Sequence, residues 1–151
     1  MAANFQVKVV GLEPFGKKVA KRIAKLSNMH PVYKKAVVLY FQWVQRNWNA
    51  AGGLHENSSL KWDELADSTI VRRRKKGKGA EILKDTGNLR RDWDLLSNRS
   101  RGIVRSQHFY SVFHEEGGKN NRPPQRKIFP ETDQAYKIVY PAFEAHLKWG
   151  P

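Results

Sequence analysis

The sequence predicts a small α+β domain in which helices at both ends flank a short mixed or antiparallel β-sheet. Apolar residues recur at helical spacing over residues 15–48 and 135–147, and two short apolar runs bracket a turn within residues 93–105. A chain of 151 residues is the usual size of one domain, and such a domain buries about 70% of the surface that its unfolded chain exposes. We therefore expect a single domain over residues 1–151, with extended loops and arms.

The amino-terminal third is predicted to contain one strand and two helices. Residues 5–9 alternate between apolar and polar types, which predicts a short strand. Residues 15–26 combine helically spaced apolar residues with five basic ones, which predicts an amphipathic helix with a basic outer face. The His-Pro pair at 30–31 should end it, because proline disfavours helix in the preceding residue. A second helix, with an apolar stripe over residues 33–48, should stop before the glycines at 52–53.

The central segment is predicted to be poor in regular structure. Residues 51–61 are polar and rich in turn formers, which indicates a loop. Asp67 or Ser68 can cap a brief helix that runs into a cluster of basic residues. Because like charges are adjacent there and have no apolar partner, we predict a mobile basic loop over residues 70–81.

Several short elements are predicted before the last helix. One helical turn should follow residues 86–87, and a β-hairpin should come next, with its turn at residues 98–102. Residues 109–116 predict a short helix that ends at a pair of glycines, since glycine favours helix C-termini. Residues 117–130 contain prolines and no clear period, so we predict an extended arm.

The last predicted helix has a regular apolar stripe over residues 135–147. Pro141 lies inside it, and proline in a helix interior costs about 3 kcal/mol. We expect a kink there, or two short helices that meet. Trp149 follows, next to the end of the chain, and can either pack in the core or insert into a neighbouring subunit; the other four tryptophans are expected in the core.

The charge of the chain is strongly basic, with a formal net charge of +14. This implies an acidic neighbour such as nucleic acid, a membrane surface or an acidic protein face. The basic run over residues 72–78 can neutralise DNA phosphates or dock onto an acidic protein, and it lacks the aromatic residues that would stack bases. No apolar segment approaches the ~20 residues of a membrane helix, so we expect no membrane partner.

The residues that usually carry catalysis are not arranged for it. The chain has no cysteine, which excludes disulfides and thiolate metal sites and suits a reducing cytoplasm. His114 precedes two glutamates, but the zinc-protease pattern needs a second histidine four residues later, where Gly118 stands. No serine lies in a Gly-x-Ser-x-Gly turn. Paired carboxylates of the glycosidase kind stay open, but we expect a protein that is not an enzyme and needs no cofactor or metal ion.

Four short signatures occur in one order within about 70 residues of the chain. They are Trp62-x-x-Leu65-x-x-Ser68-Thr69, Asp85-Thr86-Gly87-Asn88-Leu89-Arg90-Arg91, Tyr110-x-x-x-His114-x-x-Gly117-Gly118 and Pro124-x-Arg126-x-x-Phe129. Together they resemble the phage virion-morphogenesis, or tail-completion, family, over residues 30–148. Ser111 stands where that family usually has alanine, and the last signature is one residue longer than the family's.

The resemblance implies a structural virion protein in the neck of a tailed phage. Such a tail-completion or tail-terminator protein would form a ring, commonly of six copies, that caps the tail and joins it to the head connector. Its partners would be copies of itself, neighbouring neck, tail-tube or sheath proteins and connector proteins, and DNA in the lumen. Assembly would take place in the host cytoplasm, and the mature location would be the virion.

Two sets of candidate residues follow. Those expected to face another subunit, a partner or DNA are Arg72, Arg73, Arg74, Lys75, Lys76, Lys78, Arg126, Phe129 and Trp149. The resemblance adds motif positions with mainly structural roles: Trp62, Leu65, Thr69, Thr86, Gly87, Leu89, Arg90, Tyr110, His114 and Gly117. Tyr110 and His114 are four residues apart and should share a helix face.

Two alternatives to the tail-side ring remain. One is a head-closure or adaptor ring on the other side of the neck. The other is an independent basic module that binds nucleic acid without sequence preference, which would be a monomer or dimer whose affinity falls steeply with salt.

Overall fold

Residues 12–148 are described by a computed structural model, in which they form an α+β fold with one antiparallel two-stranded sheet. The elements are α1 (Leu12–Ser27), α2 (His30–Asn49), α3 (Asp67–Lys75), α4 (Asn88–Arg91), β1 (Trp93–Ser97), β2 (Gly102–Ser106), α5 (Ser111–Glu116) and α6 (Thr132–Leu147). The predicted fold class is confirmed, and the sheet is the predicted hairpin, with Leu95 opposite Val104. The predicted strand over residues 5–9 and Trp149 lie outside the described residues.

The break between the first two helices falls where the His-Pro pair predicts it. α1 ends at Ser27 and α2 begins at His30, so that Pro31 occupies the first turn of α2. Proline is tolerated there because the first N–H groups of a helix have no helical partner.

Among the helices described over residues 12–148, none is long and apolar enough to cross a membrane.

The core is built around α2, which packs against α6 and both strands of the hairpin. The main cluster of buried residues consists of Trp43, Val44, Trp48, Trp62, Leu83, Leu89, Trp93 and Ile128. Trp48 meets both Trp62 and Trp93 edge to face, at centroid distances of 5.7 and 6.5 Å. The four tryptophans that precede Trp149 are therefore core residues, as predicted.

A fully buried amide, Asn47, ties α2 to two distant segments. Its Oδ1 accepts from the Leu54 amide at 3.2 Å, and its Nδ2 donates to the Lys127 carbonyl at 3.3 Å. The same carbonyl accepts from Trp62 Nε1 and from His55 Nε2, each at 2.9 Å. Three side chains from the α2 end and the following loop therefore hold the segment around residue 127 against the core.

This anchoring shows that the predicted extended arm over residues 117–130 folds back onto its own subunit. Ile128 is completely buried, and the ring of Phe129 lies 5.5 Å from that of Trp93. Arg126 is also buried. The arm folds back because burying Ile128 and Phe129 gains more free energy than leaving them in water. Arg126 and Phe129 therefore pack inside their own subunit.

The predicted basic loop over residues 70–81 begins later than expected. The chain is helical through Lys75, so most of the basic run lies on α3. Asp67 is the first helical residue, and no side chain caps this helix, contrary to the prediction for Asp67 or Ser68. The acidic residue in the first turn interacts favourably with the positive end of the helix dipole, and the basic residues in the last turn interact favourably with its negative end. These interactions stabilise the helix despite the repulsion between the adjacent basic residues.

α6 is one helix rather than two. It runs unbroken from Thr132 to Leu147 with Pro141 inside it. The proline is exposed, whereas its neighbour Ala142 is buried against Val32 and Ala36 of α2. Packing of α6 against α2 therefore offsets the backbone hydrogen bond that Pro141 cannot donate.

Candidate functional site

The four sequence signatures converge on one small cavity of about 150 Å³. It is lined by Leu65, Arg73, Leu83, Asp85, Thr86, Gly87, Leu89, Tyr110, His114 and Arg126. Eight of these are signature positions, contributed by all four segments. Residues that lie up to 61 positions apart in the chain, from Leu65 to Arg126, thus share one site.

One wall of the cavity is the tight turn that opens α4. Gly87 has a φ of +81°, a backbone conformation that L side chains rarely adopt. Thr86 Oγ1 lies 3.5 Å from the Asn88 amide, at the outer limit of a hydrogen bond. Leu89, the second residue of α4, turns into the core. The turn therefore places Thr86 at the cavity and Leu89 in the main cluster.

Replacing Gly87 with valine is expected to lower the free energy of unfolding by about 1–3 kcal/mol. The cost is backbone strain alone, because a Cβ at Gly87 would meet no atom within 4 Å. Gly79 is the matched control, since its Cβ would also meet open space but its φ is not in the left-handed region. Equal urea-denaturation midpoints for Gly87→Val and Gly79→Val would contradict the role of φ.

The opposite wall joins α5 to the segment that folds back. Tyr110, the residue before α5, and His114 within α5 both line the cavity. The Arg126 amide donates to the His114 carbonyl at 2.6 Å, and Arg126 Nη2 donates to the Asp63 carbonyl at 3.2 Å. Two buried nitrogen atoms here, Arg126 Nε and His114 Nδ1, have no hydrogen-bond partner.

Burial and positive charge both act on these side chains. Burial lowers the pKa of His114, and the charge of Arg126 lowers it further, so the imidazole is mostly neutral at neutral pH. Burial likewise lowers the pKa of Arg126; Asp63 acts in the opposite direction, and Arg73 adds to the lowering. The cavity therefore holds a guanidinium that is poorly solvated and incompletely paired.

The rim of the cavity carries a second guanidinium, from Arg73 on α3. Its Nη1 donates to the Glu81 carbonyl at 2.7 Å, and its Nε lies 3.9 Å from Asp85 Oδ1. Asp85 also pairs with Lys78 Nζ at 2.8 Å, and this hydrogen bond is the main reason that the pKa of Asp85 is lowered. The rim acid is therefore already engaged by two basic side chains.

The other predicted partner-facing residues divide into two groups. Arg72, Lys76 and Lys78 line a second pocket of about 270 Å³, which Arg73 and Asp85 also line. Arg74 and Lys75 are exposed on α3 and line neither site. The basic residues 72–78 lie in the last turns of α3 and just after it, and we call them the α3 basic surface.

The remaining motif positions have structural placements. Trp62 is buried in the main core, and Thr69 is half-buried on α3. Arg90 Nε donates to Gln45 Oε1 at 3.3 Å and so links α4 to α2. Gly117 ends α5 with a φ of +82°.

Sequence reasoning missed the role of Glu115, which it assigned to no site. Glu115 Oε2 accepts from the amides of Ile128 and Phe129, at 2.7 and 3.2 Å. Burial raises the pKa of Glu115 above its ordinary value of 4.5, although these two hydrogen bonds oppose the shift. Nothing in the pattern His-Glu-Glu indicates a carboxylate whose partners lie more than ten residues later.

Glu115→Gln is expected to stabilise the protein at neutral pH but not in acid. A carboxyl with a raised folded pKa contributes stability that is fully present below its ordinary pKa and is lost as the pH rises through the folded value. Glutamine keeps an oxygen for the two amides and cannot ionise. Urea denaturation at about pH 4 and about pH 7 should reveal the difference. Glu116→Gln, at the exposed neighbour, is the control; an equal gain for both variants at neutral pH would contradict the burial effect.

The described part of the chain contains no candidate metal-binding cluster. Over residues 12–148, no group of three or more histidine, aspartate or glutamate side chains could hold a metal ion.

Within the described residues 12–148, two apolar surfaces are left uncovered. On α1, Ile23 and Leu26 are 62% and 58% exposed. The second surface is an apolar groove of about 440 Å³ between α2, β2 and α6, lined by Tyr33, Ala36, Val37, Tyr40, Gly102, Ile103, Val104, Val139 and Phe143. α1 touches the body near its own end, where His146 Nε2 donates to the Lys25 carbonyl at 3.0 Å.

Comparisons of the chain with protein-family models, curated proteins and solved structures give no match. The resemblance to the tail-completion family therefore rests on the four signatures.

Proposed function

We propose that this protein is a non-enzymatic structural component of the neck of a tailed phage, a tail-completion or tail-terminator protein that assembles into a ring. The observation that carries the proposal is the pair of uncovered apolar surfaces, α1 and the groove, on one subunit. The convergence of all four signatures on one cavity supports the family resemblance, because residues with a shared role are expected to lie together.

The two surfaces suit a head-to-tail contact between copies. If α1 of one subunit docks in the groove of the next, each subunit uses two different patches, and such heterologous contacts close into rings when the rotation permits. Val19, Ile23 and Leu26 share one face of α1, and the lining of the groove has no charged side chain. The five basic residues of α1 would remain on the outside.

The expected strength of this contact is modest. Full burial of each aliphatic side chain contributes about 1.5–3 kcal/mol, whereas association costs about 4–15 kcal/mol in lost freedom of motion. A single α1 contact is therefore marginal. Ring closure, or assembly on the end of a tail, would add the further contacts that make the complex stable.

The α3 basic surface is the part of the subunit that would contact other components of the neck. In a neck ring it would meet acidic faces of tail-tube, sheath or connector proteins, or DNA in the lumen. The virion is then the final location. A head-closure or adaptor ring would use the same surfaces in the other half of the neck.

The α3 basic surface also favours the second candidate, a basic module that binds nucleic acid without sequence preference. Arg72, Arg74, Lys75 and Lys76 are all exposed and can reach phosphates. This candidate needs no ring.

Native mass spectrometry across a salt series, with and without duplex DNA, separates the two. A neck-ring protein should form a closed oligomer at high protein concentration, and this oligomer should persist as salt rises, because salt screens repulsion between highly basic subunits. A monomer or dimer that loads onto DNA and is released by salt would instead support the basic module. A monomer at every salt and protein concentration would count against the α1 contact.

A further inference from the structure

The cavity between α3, α4 and α5 has the chemistry of an anion site. Arg126 is only 6% exposed, and its Nε has no hydrogen-bond partner. Among the ion pairs of the described residues, none includes Arg126. A buried charged donor without a partner is costly, so such a group usually has a ligand that completes its bonds.

Neither Asp63 nor Asp85 accepts a hydrogen bond from this guanidinium through its carboxylate. Asp63 contributes its backbone carbonyl, which accepts from Arg126 Nη2, and its carboxylate acts only through its charge. Asp85 is held by Lys78 and Arg73. The charged side chains that line the cavity are thus two guanidiniums and one carboxylate, so positive charge remains in excess.

Neutral donors surround the same space. His114 Nδ1 is buried and unpartnered, and the side chains of Tyr110 and Thr86 line the cavity. An anion with two oxygen atoms can accept from a guanidinium and from a neutral donor at once, and a planar carboxylate matches the planar fork of arginine.

The size of the cavity selects the shape of the anion. A volume of about 150 Å³ is large enough for several water molecules. A carboxylate on a short methylene stem enters such a space end-on. A DNA phosphate is a diester with a sugar on both sides, so it fits a pocket of this size less well than a carboxylate at the end of a side chain.

We propose that this cavity receives the carboxylate of an aspartate or glutamate side chain from a neighbouring protein. Arg126 and Arg73 hold the two oxygen atoms, and His114, Tyr110 or Thr86 supplies a neutral donor. The site does not depend on whether the subunit forms a ring through α1. It adds to the α3 basic surface one specific acidic contact, which general charge attraction does not provide.

The test is an NMR titration of the Arg126 Nε–Hε resonance in the full chain labelled with ¹⁵N. The resonance is assigned from its disappearance in Arg126→Lys. The probe is N-acetylglutamate N-methylamide, which carries a side-chain carboxylate and no terminal charge. The control ligand is the glutamine analogue, and inorganic phosphate is the competing anion. We expect a saturable shift with the glutamate probe and none with the glutamine analogue.

Matched variants on α3 sharpen the test. Arg73→Met should weaken binding of the glutamate probe about tenfold, the usual effect of losing one charged hydrogen bond. Arg74→Met removes the same charge from the exposed side of the helix and should change nothing. Neither arginine belongs to a buried cluster, so both substitutions should leave the core intact.

Three results would overturn the proposal. The first is a shift with the glutamate probe that never saturates and moves all arginine resonances alike. The second is saturable binding of phosphate without binding of the glutamate probe, which would indicate a phosphate site. The third is equal weakening by Arg73→Met and Arg74→Met, which would indicate general attraction to the basic surface.

Discussion

Replacing Trp62 with alanine should lower the free energy of unfolding by about 3–5 kcal/mol. Trp62 is 3% exposed, meets Trp48 edge to face, and donates from Nε1 to the Lys127 carbonyl at 2.9 Å. Alanine would leave a cavity at the centre of the main cluster and remove one of the bonds that hold the folded-back segment. Small domains are stable by only about 5–15 kcal/mol, so this loss should be visible as a large fall in the urea midpoint.

Two further variants separate ring packing from the hydrogen bond. Trp62→Phe keeps most of the buried ring and loses the N–H, and it should cost about 1–2 kcal/mol. The Lys127 carbonyl would still accept from His55. Phe109→Ala removes an aromatic ring that is 81% exposed and should change stability by less than about 0.5 kcal/mol. Far-UV circular dichroism is the appropriate signal, because tryptophan fluorescence changes with the substitution itself. A loss below that of Trp62→Phe would contradict the central place of Trp62.

The elements that the sequence predicts well are those whose pattern is local. α2 and α6 each carry a long apolar stripe, and the stripe alone determines which face packs. The hairpin is equally local, since β1 and β2 are separated by a turn of four residues. In each case the pattern is formed by residues that are close to one another in the sequence.

The direction of the segment over residues 117–130 could not be predicted in the same way. Prolines and missing periodicity correctly indicate irregular backbone, but they say nothing about where that backbone lies. Its position depends on Asn47, Trp62 and Glu115, which contact it from distant parts of the chain. Each of these partners is unremarkable in the sequence.

Several residues of the candidate site could be predicted from the sequence, but their burial and their arrangement around one cavity could not. The resemblance picked out Tyr110, His114 and Arg126 among its positions, and the structure brings all three to one cavity. Burial of Arg126 without a partner at Nε is a property of the folded chain, and a basic residue in an arm looks like any solvated charge. Arg73 was proposed only as one of a basic run, whereas the fold separates it from Arg74 by turning it towards the cavity.

Ile23→Asp on α1 should abolish self-association while leaving the subunit folded. Docking would force a carboxylate into the uncharged groove, and the expected rise in the dissociation constant of each contact is about 100-fold or more. Ile23 is 62% exposed in the subunit, so the substitution should leave the free energy of unfolding of the subunit unchanged. Val38→Asp is the matched control, because Val38 is also an exposed apolar residue, at 43%, and does not line the groove. Analytical ultracentrifugation at high protein concentration measures the difference. Equal oligomer size in Ile23→Asp and Val38→Asp would contradict the α1 contact.

A head-to-tail contact predicts a specific result when two variants, each defective in one of the two surfaces, are mixed. Ile103→Asp alters the groove and leaves α1 intact, whereas Ile23→Asp alters α1 and leaves the groove intact. Each variant alone should be monomeric. Mixed together, they can form only one sound contact, between α1 of the Ile103→Asp copy and the groove of the Ile23→Asp copy, so the mixture should stop at a heterodimer. If the mixture stays monomeric while both variants are folded, α1 and the groove do not bind each other. If it grows beyond the dimer, another surface holds the subunits together.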